Sequence, residues 1–230
     1  LIDNSYRDHR FAFINQFIKF SERMNIDLTQ IVKSVNHGYS RNDIPMPSPG
    51  VGGPCLSKDP HILSHSLESE KISPSLIRLS RKTNESIVLY LNKKINYAFK
   101  KIKKDINNSK IFIVGMSFKG NPETSDIRNS SSIELLQKLK NKKNNICVYD
   151  PYSKFNTSLF KDLKAKVVSL KAGFKKADAV IIMTNNKNFN ELTNQKYLDS
   201  MNKPSIFLDT WHIFEPIELK QFKGINYYGL

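Results

Sequence analysis

Residues 49–60, Pro-Gly-Val-Gly-Gly-Pro-Cys-Leu-Ser-Lys-Asp-Pro, carry the densest set of groups able to do chemistry. Gly50, Gly52 and Gly53 let a backbone take positive φ and approach a ligand closely. Cys55 follows, then Lys58, Asp59 and Pro60, a residue suited to a first helical turn. A thiol just ahead of a helix start, with a lysine three residues on, sits where its pKa should fall, and the thiolate is the reactive form. Asp59 is placed to act as a base or to orient water. A buried cysteine in an ordinary turn is the competing reading, since free cysteine packs as a small hydrophobe.

A second stretch, Gly115 to Arg128, holds two cations around a polar turn, Lys119 and Arg128, ahead of an expected helix. Helix starts favour anions and the cations add charge, so a phosphate-binding turn is predicted. A solvated charged loop fits the same residues. Gly115 and Gly120 do not make GxGxxG, and the sequence holds no strand–GxGxxG–helix unit followed by an acidic residue.

The elements that must position these groups fall into two regions. Residues 3–24 place Tyr6, Phe11, Ile14, Phe17 and Ile18 at helical spacing. Leu28, Ile31, Val32 and Val35 mark a short second helix, and a third is expected over about 60–68. From Ser73-Pro74 an apolar stripe runs through Leu76, Leu79, Ile87, Leu91, Ile95 and Phe99 to about Lys104. That reads as one long rod, or as two helices kinked near Thr83. Beyond it, short apolar strands are expected at 110–115, 146–151, 166–168, 179–184 and 205–210, with helices between most of them. Alternating strands and helices predict a parallel sheet covered on both faces, binding ligands beyond the strands' carboxyl ends. The expected architecture is α/β: an all-helical region over 1–105, whose long rod suits a subunit interface or a link between domains, then a Rossmann-like parallel-sheet domain over 106–230.

The 230 residues are 39% hydrophobic and carry a formal charge of +15. No apolar run approaches a membrane span. The lysines are spread along the chain and not gathered into a stripe with stacking aromatics, which argues against a nucleic-acid binder. The two cysteines lack metal spacing, so no metal and a reducing, cytoplasmic setting are expected.

The cysteine loop resembles that of the UDP-glucose/GDP-mannose dehydrogenase family, which reads Gly-x-Gly-Gly-x-Cys-x-x-Lys-Asp and is met here in full at Gly50, Gly52, Gly53, Cys55, Lys58 and Asp59. The second stretch is similar to the opening of that family's UDP-binding domain, at Gly115, Phe118, Lys119, Asp126, Arg128 and Ser130, with two more residues between Lys and Asp than is common there. Asp150-Pro151, Ala177-Asp178-Ala179 and Asp209-Thr210-Trp211 also resemble family positions. Asn4, Arg7 and Asn15 resemble the start of the central domain, with Gln16 where Glu is common. The family lysine four residues before Asn4 would fall one position ahead of Leu1, so the chain reads as a fragment.

The resemblance implies two successive NAD-dependent oxidations at C6 of a UDP-sugar, through a thiohemiacetal and a thioester on Cys55. It implies that Asp59 and Asn4 position or activate water, and that Lys58 and Arg128 face NAD. It assigns Asn4, Arg41, Lys119 and the loop residues Met46, Pro47, Ser48, Pro49, Gly50 and Gly52 to the substrate. A homodimer is implied, with Arg41 reaching substrate across it. A noncatalytic nucleotide-sugar-binding module derived from the same family is the alternative. The identity of the sugar is left open.

Overall fold

The computed structural model of the chain describes residues 1–39, 41, 43–140, 145–152 and 157–230. Five helices come first: α1 (Ile2–Asn15), α2 (Ile18–Met24), α3 (Leu28–Asn36), α4 (Asp59–Ser69) and α5 (Ser75–Lys101). The single helix expected over 3–24 is two. The Phe17 N–H donates to the Ile14 carbonyl three residues back, a tighter turn that interrupts the α-helical ladder. Asn25, with φ 54°, ends α2 in the left-handed conformation, and the Asp27 carboxylate caps α3 through the Gln30 N–H. The long helix α5 is one unbroken rod of 27 residues, about 40 Å at 1.5 Å per residue. Thr83 lies inside it, its hydroxyl bonded back to the Leu79 carbonyl, and the helix continues through it.

Among the described residues six strands follow: β1 (Lys110–Val114), β2 (Asn145–Tyr149), β3 (Ala165–Val167), β4 (Ala179–Ile182), β5 (Ser205–Asp209) and β6 (Ile225–Gly229). All pairings are parallel and the order is β3-β2-β1-β4-β5-β6. This is the doubly wound order. Interspersed are α6 (Ser131–Leu139), α7 (Thr157–Asp162), α8 (Leu170–Phe174), α9 (Gln195–Asp199) and α10 (Pro216–Lys220).

The continuous apolar runs of β1, β4 and β5 are buried because successive side chains feed opposite faces of the sheet. Ile111, Ile113, Ile181 and Leu208 join one core; Phe112, Val114, Val180 and Phe207 join the other. The first of these cores also contains Leu91, Ile95, Ala98 and Phe99 of α5, and Ile14, Ile18 and Val32 of the helices before it. One hydrophobic core therefore runs across the boundary expected at 105/106, with α5 as the shared wall.

Phe13, Phe20, Leu76, Leu79, Leu89 and Tyr97 leave apolar surface exposed on the helical region. Among the described residues, no helix is long and apolar enough to cross a membrane, and no cluster of three His, Cys, Asp or Glu could hold a metal ion.

Candidate functional site

The cysteine loop enters α4 as its spacing predicts. Lys58 is the N-cap and Pro60 lies in the first turn. The Cys55 carbonyl accepts the N–H groups of Lys58 and Asp59, at 3.0 and 2.8 Å, which winds the loop into the helix. The Cys55 side chain is exposed; the buried cysteine is Cys147, whose thiol burial pushes up, with Lys110 and Lys166 pulling the other way. Asp59 is only 13% exposed. Asn4, in the first turn of α1, donates from Nδ2 to Asp59 Oδ2 at 2.6 Å. Lys58 Nζ, 63% exposed, lies 3.8 Å from Asp59 Oδ1. Residues 55 positions apart thus fix one carboxylate oxygen beside the thiol loop and leave the other facing a cation.

The second stretch packs directly on this loop. The Gly53 N–H donates to the Asn129 carbonyl at 3.2 Å, and Asn129 Nδ2 donates to Ser57 Oγ at 2.9 Å. A Cβ on Gly52 would stand 2.2 Å from the Asn129 carbonyl oxygen, and one on Gly53, where φ is +94°, would stand 2.7 Å from the Phe118 ring. Both positions require glycine because two backbones and an aromatic ring meet there. Half-buried Lys119 follows, its Nζ 5.5 Å from the centre of the Phe118 ring.

The segment carrying Phe118 and Lys119 leaves β1 at the carboxyl edge of the sheet and is anchored there. Asp150, at the end of β2, accepts the N–H groups of Met116 and Ser117 and the Ser117 hydroxyl, at 2.8–2.9 Å. The Phe118 N–H closes the loop on the Asp126 carbonyl. Ser130 caps α6 through the Ser132 N–H. Arg128 is 71% exposed and chelated by the Asp126 carboxylate. That contact pulls Asp126 below its ordinary value. It also raises Arg128, to which the Cys55 charge adds.

The other predicted substrate residues are placed differently. Pro47, Ser48 and Pro49 are buried beneath the loop, while Met46, Gly50 and Gly52 are half-buried. Arg41 is exposed and lines a hollow on the α1 surface with Tyr6, His9, Arg10 and Phe13. The structure therefore brings Asn4, Lys58 and Asp59 together at the Cys55 loop, packs the segment from Phe118 to Asn129 against that loop, and sets Arg41 among side chains of α1.

Sequence reasoning missed a buried polar chain beneath the loop. Arg81 donates from Nη1 to Asp8 Oδ1 at 2.7 Å and to the Leu56 carbonyl at 2.8 Å, and from Nη2 to the Val51 carbonyl at 2.9 Å. Asn84 donates to the Asp8 carbonyl and carboxylate, both at 2.8 Å. Asn15 donates to Asn84 Oδ1 and accepts the Ser48 N–H. Burial raises Asp8 above its ordinary value even though Arg81 and Asn84 pull it down. The available signal was the spacing: Asn4, Asp8 and Asn15 on α1, and Arg81 and Asn84 on α5, are polar groups on helix faces that meet.

Two models of one family match the chain. Residues 1–86 match the UDP-glucose/GDP-mannose dehydrogenase family central domain, and residues 112–216 match that family's UDP binding domain. The chain is 32% identical over 232 residues to a UDP-N-acetyl-D-mannosamine dehydrogenase of Methanocaldococcus jannaschii, covering 100% of this chain and 50% of that protein. It is 28% identical over 152 residues to a UDP-N-acetyl-D-glucosamine 6-dehydrogenase of Pseudomonas aeruginosa, covering 66% of this chain and 35% of that protein. The solved UDP-N-acetylmannosamine dehydrogenase of Pyrococcus horikoshii superposes with a TM-score of 0.81 at 26% identity, over 99% of this chain and 50% of that one. The chain spans about half the length of the first two or three curated relatives it matches.

Proposed function

The chain belongs to the UDP-glucose/GDP-mannose dehydrogenase family, and from that premise we propose that it supplies the thiol and the nucleotide-sugar face of an NAD-dependent UDP-sugar 6-dehydrogenase. The observation that carries this reading is the packing of Gly52 and Gly53 on Asn129 and Phe118. In this reading that contact brings Cys55, Asp59 and Asn4 to the same face as the cation Lys119, at the carboxyl edge of the sheet, where such sheets bind ligands. The names of the similar proteins favour a UDP-N-acetylhexosamine as substrate.

NAD+, when bound, supplies the acceptor for the two hydrides that separate a C6 alcohol from its acid. The residues here that fit its pyrophosphate are the exposed cations Lys58, three residues after Cys55, and Arg128, on the segment packed against the cysteine loop. The rest of the chemistry falls to this chain's own groups. Cys55 Sγ adds to the C6 carbon at the aldehyde level; the carbonyl π pair moves to oxygen, which takes a proton, giving a thiohemiacetal. At the acid level the same sulfur holds the acyl group as a thioester. Water adds to that carbon, the C–S bond breaks, and the thiolate departs. Asp59, one oxygen fixed by Asn4, takes the proton from the attacking water. Lys119 binds the diphosphate from the sheet side.

Calorimetry tests the substrate half of this reading on the chain as it is. UDP and UDP-N-acetylglucosamine bind weakly, at about millimolar Kd or ~4 kcal/mol. Lys119→Ala weakens both by about tenfold or more, the worth of a charge-assisted hydrogen bond. No heat from either ligand with the unsubstituted chain would contradict the proposal.

A further inference from the structure

We propose that Arg81, with Asp8 as its counter-ion, is the residue that positions the Cys55 loop. The proposal rests on Cys55 being the nucleophile and goes beyond it, because Arg81 touches neither the thiol nor any residue assigned to substrate or cofactor. Its guanidinium acts on the backbone. The Val51 and Leu56 carbonyls that it holds lie on either side of Cys55, four residues before it and one after. A planar fork with fixed donors holds two carbonyls at a set separation, which a lysine ammonium cannot do.

The fork itself is rigid. Its side chain is 4% exposed, and Asp8, 1% exposed, pins Nη1 from below. Nε faces Glu85 at 3.2 Å. The charges around Asp8 are Arg81, Glu85 and His61. Asn84, one turn along α5, holds Asp8 through two further bonds. The chain of contacts continues to Asn15 and Ser48, so the loop is gripped before its glycines as well as after them. Asn4 and Asp8 are one turn apart on α1. The helix that fixes the Asp59 carboxylate therefore also fixes the arginine that sets the thiol. Arg81 is in this sense the hinge pin between the general base and the nucleophile.

The test is alkylation of the 230-residue protein by iodoacetamide, followed peptide by peptide across pH 6–10, with buried Cys147 as the internal reference. Arg81→Lys keeps the charge beside Asp8 but loses the fork. With an unchanged circular dichroism spectrum and melting temperature, it is expected to change the Cys55 alkylation rate about tenfold at pH 7, because the carbonyls on either side of the thiol are released. Cys147 stays unreactive. A folded Arg81→Lys protein with the wild-type Cys55 rate and profile would overturn the proposal. If that variant does not fold, hydrogen exchange on the unsubstituted protein decides. The Gly53, Lys58 and Asp59 amides are expected to exchange as slowly as those of α5 around Arg81. Exchange at the rate of exposed loop amides would overturn it.

Discussion

Gly52 shows how closely the site depends on single atoms. The Asn129 carbonyl oxygen lies 2.2 Å from where any side chain at this position would begin, and both neighbours are backbone, which cannot swing aside. Gly52→Ala is expected to push the cysteine loop off the segment that carries Lys119 and to destabilise the fold by about 1–3 kcal/mol, the usual cost of overpacking. Thermal unfolding measures it, and a variant as stable as wild type would show that the two segments are not in contact. At this scale the sequence was informative where residues are close along the chain: Cys55, Lys58 and Asp59 sit at a helix start, as their spacing predicts. It said less about Arg81 and Asp8, 73 residues apart: the polar spacing on each helix could be read, but nothing local pairs the two faces. The chelation of Arg128 by Asp126 was not legible. Two residues' separation allows it, but only the folded loop between Phe118 and Asp126 makes it happen.

Among the elements, α5 joins the helices to the sheet, and the chain between its end and β1 is tied down by Asp178 ahead of β4. The Asp178 carboxylate accepts Lys104 Nζ at 2.6 Å, the Lys110 N–H at 2.9 Å and Asn202 Nδ2 at 2.9 Å. Burial raises its pKa, but these donors outweigh burial and leave it below the ordinary 3.8. A depressed carboxylate contributes stability that is fully present above its unfolded value and is lost as pH falls through the lower folded value. Asp178→Asn is therefore expected to cost about 1–3 kcal/mol at neutral pH. The difference from wild type shrinks as pH drops below 3.8. Urea titrations at pH 7 and pH 3 check this, and an equal loss at both would contradict the ion-pair account. Five strands and the long helix were legible because apolar runs and a 3.6-residue stripe persist over several residues. The break between α1 and α2 was not, since Gln16 and Phe17 carry no glycine or proline to mark it. Nor was β6, whose Ile225–Gly229 run is mostly half-buried and has no continuous aliphatic stretch.

For the molecule as a whole, the two regions function as one body because a single core passes through α5, and the site lies where helical loop and sheet edge meet. Neither region holds the whole constellation: the helices bring Cys55, Asp59 and Asn4, and the sheet brings Lys119 and Arg128. The claim that these form one nucleotide-sugar face is tested most directly by the rate of Cys55 alkylation with and without UDP-N-acetylglucosamine, at the concentrations calorimetry defines as saturating. A sugar nucleotide held by the Lys119 segment reaches across the Gly52–Asn129 contact and covers the thiol. The account predicts that Cys55 is protected, that UDP without its sugar protects it less, and that Cys147 is unaffected. An unchanged Cys55 rate at saturation would mean that ligand and thiol do not share a site.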